Sequence, residues 1–171
     1  EEFAEVRFDT GGNVTILAGT HSQGQGHETT FTQVLVELLG VDPQNVRVSF
    51  GDTDAVFHGK GTFGSRSASV VATALREVSL KLIEKGKLIA SHLLEASAVN
   101  DTEFADGQFR IAGTDRAIPI AEVAKASFNL ASLPPGVEPG FGAAVISRPA
   151  GPTFPNGCHV CEVEIDEETG S

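Results

Sequence analysis

The chain has no Met, no Trp, no Tyr and only two Cys, and its 11 aromatic residues are all Phe. Without Trp, Tyr or a basic stripe, there is no stacking platform for nucleobases. Two Cys cannot build a disulfide framework or a complete Cys-rich zinc site, and their scarcity fits a reducing, cytoplasmic setting. Cations are scarce too: 12 Lys and Arg stand against 23 Asp and Glu, a formal net charge of −11 with His neutral. Such a surface repels phosphate backbones and anionic lipid, so neither nucleic acid nor a membrane surface is expected as a partner. No apolar run approaches the roughly 18 residues of a membrane span. No charged n-region followed by an apolar h-region opens the chain. What is present suffices for a core. The 171 residues are 40% apolar with 19 Gly, which fits one ordinary domain rather than a disordered chain. Starting at Glu1 without Met and stopping at Ser171, residues 1–171 read as a single domain cut from a longer polypeptide, with some of the chemistry lying elsewhere.

Ala4, Val6 and Phe8 alternate, Thr10-Gly11-Gly12-Asn13 is a turn cluster, and Val14, Ile16 and Ala18 alternate again. Together these predict a β-hairpin. A glycine-rich loop, Gly19 to Gly26, follows. Phe31, Val34, Leu35, Leu38 and Leu39 then form one helical stripe that Gly40 can cap and Asp42-Pro43 stops. Val46, Val48 and Phe50 predict a third strand, and a second loop runs from Gly51 to Gly64. From about Ser67 the apolar residues Val71, Leu75, Val78, Leu82, Ile89 and Leu93 recur at helical spacing, with Gly86 inside, so one helix or two are expected. Phe104 to Ile111 predicts a hairpin around Asp106-Gly107, and Ile118 to Lys125 a short helix opened through Pro119. The stretch 128–156 is rich in Pro and Gly without a sustained period and is expected to be a long ordered excursion or a linker. A last strand places Cys161, Val163 and Ile165 on one face and Glu162, Glu164 and Asp166 on the other. The order β-β-α-β-α-β predicts an α+β fold, a two-layer α/β sandwich with a mixed sheet.

Two segments could carry chemistry. In Gly19-Thr20-His21-Ser22-Gln23-Gly24-Gln25-Gly26-His27-Glu28-Thr29-Thr30 a strand gives way to a glycine turn and an amphipathic helix. Backbone N–H groups at such a helix start point outward and the helix dipole favours an anion there. Gly24 and Gly26 would let a phosphate or flat ring approach the backbone, and Gln23 and Gln25 add amide groups. A tight turn closing on a cap is the alternative. The order is neither that of a Walker loop nor that of a dinucleotide fingerprint. In Gly59-Lys60-Gly61-Thr62-Phe63-Gly64-Ser65-Arg66-Ser67 another strand runs into another helix. Ser65 or Ser67 can cap that helix. Arg66 offers a planar fork suited to phosphate, or is simply solvated. In an α/β sheet such junctions can gather on one edge, where two facing helix starts would cradle a large polyanionic cofactor.

Other polar groups read as structure. Asp52 and Asp54 fit an Asx-type turn better than a metal site. His21, His27 and His58 flank the two loops without a spacing that fixes a metal triad, and His92 is expected to be structural. Cys158 and Cys161 lie three apart on the expected strand, so they point to opposite faces and cannot readily chelate together; Cys161 is expected as a small core residue. No Ser-His-Asp arrangement is supported by spacing.

The loops occur in an order that resembles a known family. Gln23-Gly24-Gln25-Gly26-His27-Glu28-Thr29-Thr30, Leu38-Leu39-Gly40-Val41, Gly51-Asp52-Thr53-Asp54 and Gly61-Thr62-Phe63-Gly64-Ser65-Arg66-Ser67 come first. Asn156-Gly157-Cys158-His159-Val160-Cys161-Glu162-Val163-Glu164-Ile165-Asp166 follows. The set is similar to the molybdopterin-binding region of molybdenum hydroxylase large subunits. The aerobic carbon monoxide dehydrogenase large chain is the branch most resembled, with xanthine dehydrogenases and aldehyde oxidases as relatives.

The resemblance implies a parent oxidoreductase carrying molybdenum on a molybdopterin dithiolene, often in the cytosine dinucleotide form. It implies cofactor-binding roles for Gln23, Gly24, Gln25, Gly26, His27, Thr29, Thr62, Gly64, Ser65, Arg66 and Ser67. Gln23 would lie near the molybdenum oxo or sulfido face, and Gly64, Ser65, Arg66 and Ser67 near the phosphates. The implied reaction is a two-electron oxidation of a small-molecule substrate with oxygen from water. Electrons would leave through iron–sulfur clusters and FAD on partner subunits, in a dimer of heterotrimers. The family's catalytic Glu motif and its copper-linked Cys loop have no match in these residues. The resemblance therefore assigns no substrate and implies that the isolated segment is inactive. The rival expectation, from residues alone, is a non-catalytic anion- or nucleotide-binding module.

Overall fold

A computed structural model describes residues 1–154 and 156–170. Glu2–Phe8 (β1) and Val14–Ala18 (β2) pair antiparallel, with Ala4 opposite Ala18 and Phe8 opposite Val14. The turn between them is held by Asp9, whose Oδ1 accepts from the backbone N–H of Gly11 (2.8 Å) and of Asn13 (2.9 Å). Alternation places Ala4, Val6, Phe8, Val14, Ile16 and Ala18 in the core. Glu5 and Arg7 lie on the opposite face and are less buried.

His27–Leu39 (α1) crosses from β2 to Val46–Phe50 (β3), which pairs parallel to β2. Phe31, Leu35 and Leu39 are fully buried, while Val34 and Leu38 sit at the margin of the stripe. Gly40 ends α1 at φ 63°, a left-handed turn with its N–H on the Val36 carbonyl.

Ser67–Leu93 (α2) is one unbroken helix. Gly86 does not break it because the position is a packing notch: a Cβ there would overlap the ring of Phe109. That ring belongs to a small antiparallel sheet of Thr102–Ala105 (β4), Gln108–Ile111 (β5) and Ala117–Pro119 (β6). Phe104 packs on Phe109 with centroids 4.7 Å apart. Ile120–Ala126 (α3) follows and buries Ile120, Val123 and Ala124. The hairpin and the short helix expected in this region are both present.

The main sheet has the order β3-β2-β1 with one further strand beside β1 and is mixed, with the helices forming the second layer of an α+β sandwich. Its outer strand, Gly142–Ser147 (β7), lies inside the Pro/Gly-rich stretch 128–156, where no strand was expected. Small residues hide its period. Ala143 and Val145 turn inward while Gly142, Ala144 and Ile146 are exposed. Lys81 Nζ donates to the Ala144 carbonyl at 3.2 Å, which ties α2 to this edge.

The strand expected at Cys161, Val163 and Ile165 requires correction. Residues 157–166 have no strand partner among the described residues. Cys161 is exposed rather than a core residue, and Val163 and Ile165 are exposed with it. Alternation marks a segment able to pair, but pairing needs a neighbour, and the place beside β1 belongs to β7. Asp166 closes this segment in a turn, its Oδ1 accepting from the Glu168 N–H at 2.8 Å. His92 is exposed on α2 rather than structural.

The notch at Gly86 is testable. Gly86→Ala should lower stability by about 1–3 kcal/mol through overpacking, and adding Phe109→Leu should recover part of that loss. Urea unfolding midpoints of the two variants check it; a neutral Gly86→Ala contradicts the packing described.

Candidate functional site

Because β2 and β3 are parallel neighbours, their last residues, Ala18 and Phe50, lie side by side. The chain leaves both strands at the same edge, so the loops 19–26 and 51–66 emerge together, each leading to a helix start.

Contact between the loops is direct. Gly19 and Gly59 approach backbone to backbone: a Cβ on Gly59 would sit 2.5 Å from the Gly19 carbonyl oxygen, and one on Gly19 2.6 Å from the Gly59 Cα. The Gly61 N–H donates to the Gly19 carbonyl at 3.2 Å. Thr62 Oγ1 accepts from the His21 N–H at 3.0 Å and from Ser67 Oγ at 3.1 Å, and donates to the His21 carbonyl. A cleft of about 190 Å³ remains between the loops, lined by Thr20, His21, Gly51, Asp52 and Gly61 among others. Thr20 Oγ1 is buried there without a hydrogen-bond partner.

In the first loop Gly24 (φ 102°) and Gly26 (φ 74°) adopt left-handed conformations, and a Cβ at either would meet nothing within 4 Å. Their backbones face open space. Gln25 folds back on its own loop, with Nε2 on the His21 carbonyl (3.2 Å) and Oε1 accepting from the Gln23 N–H. Gln23 and Thr29 are exposed. No side chain caps α1, and the first helical bond runs from the Thr30 N–H to Gly26 at 3.0 Å. The N–H groups of His27, Glu28 and Thr29 thus have no carbonyl behind them in the helix. The His27 ring turns inward, stacked on Phe31 at 4.8 Å and edge-on to Phe50 at 6.5 Å, with Nδ1 unpartnered. Burial pushes its pKa below the ordinary 6.5, with the Glu28 charge opposing this and His21 adding to it.

The second loop begins as an Asx turn, with Asp52 Oδ1 accepting from the Asp54 N–H at 2.9 Å, so the Asp52 carboxylate holds backbone. Gly61 (φ 79°) and Gly64 (φ 60°) are again left-handed and open. Ser65, at φ 52°, is exposed. Neither Ser65 nor Ser67 caps α2, contrary to expectation, because Ser67 Oγ is spent on Thr62 and Arg66 occupies the N-cap position without a capping bond.

The loop's cations are engaged by protein groups. Arg66 is neither solvated nor free: Nη1 meets Glu2 Oε2 (3.1 Å) and the Gly61 carbonyl (3.0 Å), Nη2 meets the Glu1 carbonyl (2.7 Å), and the fork lies 4.9 Å over the Phe63 ring. Lys60 Nζ pairs with Glu1 at 3.1 Å. Lys60, then Arg148, hold the Glu1 carboxyl down at about 2.

The eleven expected cofactor residues therefore share one region but differ in kind. Gly24, Gly26 and Gly64 present open backbone, and Gln23, Thr29 and Ser65 present exposed side chains. The side chains of Gln25, Thr62, Arg66 and Ser67 bind the loops themselves, and His27 packs inward. Sequence reasoning passed over Glu2 and took Gly19 and Gly59 only as the first residues of their loops, without the contact between them. No motif marks Glu2, whose role depends on contact with a residue far along the chain. Among the described residues no group of three or more His, Cys, Asp or Glu could hold a metal ion, and no helix is long and apolar enough to cross a membrane.

Comparisons with known proteins give the chain's family and bear out its fold. The family model described as molybdopterin cofactor-binding domain matches residues 1–171. The carbon monoxide dehydrogenase large chain of Afipia carboxidovorans is 38% identical over 98% of this chain and 20% of its own length. The nicotine 6-hydroxylase large subunit of Paenarthrobacter nicotinovorans is 34% identical over 98% of this chain and 21% of its own. The reconstituted CO dehydrogenase structure from Oligotropha carboxidovorans superposes with a TM-score of 0.81 at 36% identity, covering 87% of this chain and 18% of that one. The chain thus spans about a fifth of the length of the curated relatives it matches. None of these comparisons supports a free-standing nucleotide- or anion-binding module.

The inward His27 predicts an acid sensitivity. Its folded-state pKa is lowered, so the unfolded chain takes up a proton that the folded chain refuses. The stability this contributes is complete above pH 6.5 and is lost as the pH falls through the lower folded-state value. His27→Phe should flatten that part of the curve, seen as a smaller drop in urea midpoint between about pH 7 and about pH 5; equal slopes would contradict it.

Proposed function

This chain belongs to the molybdopterin cofactor-binding domain family, and we propose that it supplies part of the cofactor cradle in the large subunit of a molybdenum-dependent oxidoreductase. The observation that carries this reading is the pair of uncapped helix starts at one sheet edge, each preceded by left-handed glycines whose backbones face open space.

The residues present fit a large anionic ligand. In an acidic chain, with Arg66 and Lys60 engaged internally, the positive potential offered outward comes from backbone N–H groups and helix dipoles. The N–H groups of His27, Glu28 and Thr29 would hold one anionic group, and those at the start of α2, Ser67 to Ser69, another. Gly24, Gly26 and Gly64 leave room for close approach. The buried, unpartnered Thr20 hydroxyl lines the cleft between the loops and has a hydrogen bond to give. Gln23, exposed at the loop tip, would reach toward the metal face, and Thr29 and Ser65 would add hydroxyl donors at the rim. Gln25, Thr62 and Ser67 act by fixing loop shape.

Molybdenum on a pterin dithiolene would supply two-electron redox chemistry at this edge. A cytosine dinucleotide tail would suit two anion sites better than a single phosphate. Iron–sulfur and FAD subunits would receive the electrons, in a cytoplasmic dimer of heterotrimers. The general base and most of the substrate pocket would come from other parts of the polypeptide, so the substrate is placed no more narrowly than a small molecule.

Gly26→Val and Gly64→Val in the full-length protein test this. Each should lower bound molybdenum and pterin on the order of tenfold or more, because a branched side chain would occupy the approach to the backbone. Gly113→Val and Gly136→Val control for backbone strain alone, since those glycines are also left-handed and open but lie away from the loops. Normal cofactor content in the first pair, or equal losses in both pairs, would refute the cradle.

A further inference from the structure

Glu2 is fully buried, yet it is a carboxylate. It lies on the helix-facing side of β1, in step with Ala4 and Val6. A buried carboxylate is costly unless paired and hydrogen-bonded. Here both oxygens are used: Oε1 accepts from the Phe3 N–H at 3.1 Å, and Oε2 pairs with Arg66 at 3.1 Å. Gly19 closes over the carboxylate, since a Cβ at that position would overlap Glu2 Oε1.

The Arg66 fork reaches three acceptors on two separate parts of the chain: the Glu2 side chain, the Glu1 carbonyl and the Gly61 carbonyl. Two of these belong to the start of β1 and the third to the glycine loop that Arg66 itself ends. One guanidinium thus ties the last turn of the second loop to the start of β1. A Lys, with its donors on a single atom, could meet Glu2 but could not span all three acceptors.

We infer that Arg66 is a positioning residue and not a phosphate ligand: with the buried Glu2 it forms a clamp that sets the path of residues 59–66 and so the direction of the N–H groups opening α2. Its functional consequence rests on the cradle proposed above; its geometry does not. Removing Arg66 leaves the Glu2 carboxylate buried without its cation, and removing Glu2 leaves the part-buried Arg66 with carbonyl acceptors but no counter-charge, so the loop loosens in both cases. A ligand role makes the opposite demand, because Glu2 would then be irrelevant to cofactor binding.

The test uses the full-length protein with its natural partner subunits and compares Glu2→Gln, Arg66→Gln, the double variant and Arg66→Lys. Two quantities are read: amide hydrogen exchange across residues 59–66, and bound molybdenum and pterin. Glu2→Gln and Arg66→Gln should each speed exchange in that segment by about tenfold or more, with the middle of α2 unchanged. Cofactor content should fall by a comparable factor. The double variant should be no worse than either single one, and Arg66→Lys should recover part of both losses. The clamp is overturned if Arg66→Gln depletes the cofactor while Glu2→Gln has no effect. Unchanged exchange in both single variants, or exchange that rises uniformly through the domain, also overturns it. Wild-type protein without molybdenum or pterin would refute the cradle, while the exchange measurements would still decide the clamp.

Discussion

The parallel pairing of β2 with β3 is the constraint on which the site depends. An antiparallel neighbour would send its following loop to the far edge of the sheet. A parallel neighbour returns through α1 and ends beside the strand it left. The register of Ala18 against Phe50 fixes where the two loops begin, and the contacts of Gly19 with Gly59 and of Thr62 with His21 keep them joined beyond the strand ends. Everything proposed for ligand binding follows from that placement.

The site is built largely of backbone. An acidic chain with few cations has little positive side-chain charge to offer, and the cations nearest the loops, Lys60 and Arg66, are held by Glu1 and Glu2. Uncapped helix starts supply positive potential without net charge. Glycine appears here in two roles. Gly24, Gly26, Gly61 and Gly64 keep a surface open, whereas Gly19 and Gly59 let two stretches of backbone touch. The first role concerns a ligand, the second the scaffold that presents it.

Much of the fold was legible because its elements carry their own period. The hairpin of Val6 and Ile16, the α1 stripe through Phe31 and Leu35, and the long run from Val71 to Leu93 are local patterns that the structure confirms. What stayed hidden depends on neighbours. β7 opens with Gly142 and two Ala, so its half-buried Ala143 and Val145 stand out only once β1 lies beside them. The segment with Cys161, Val163 and Ile165 has a strong strand pattern and no strand partner among the described residues. In the site, the glycine spacing marked the right region but not the division of labour. Whether Arg66 reaches outward or inward is decided by Glu2, which lies far from it in sequence and is silent as a motif.

The most direct test of the two-loop cradle is metal and pterin analysis of the unmodified full-length protein, purified together with its companion subunits. Stoichiometric molybdenum and pterin is the expected result. Protein that is folded and fully assembled but contains neither would contradict the central claim.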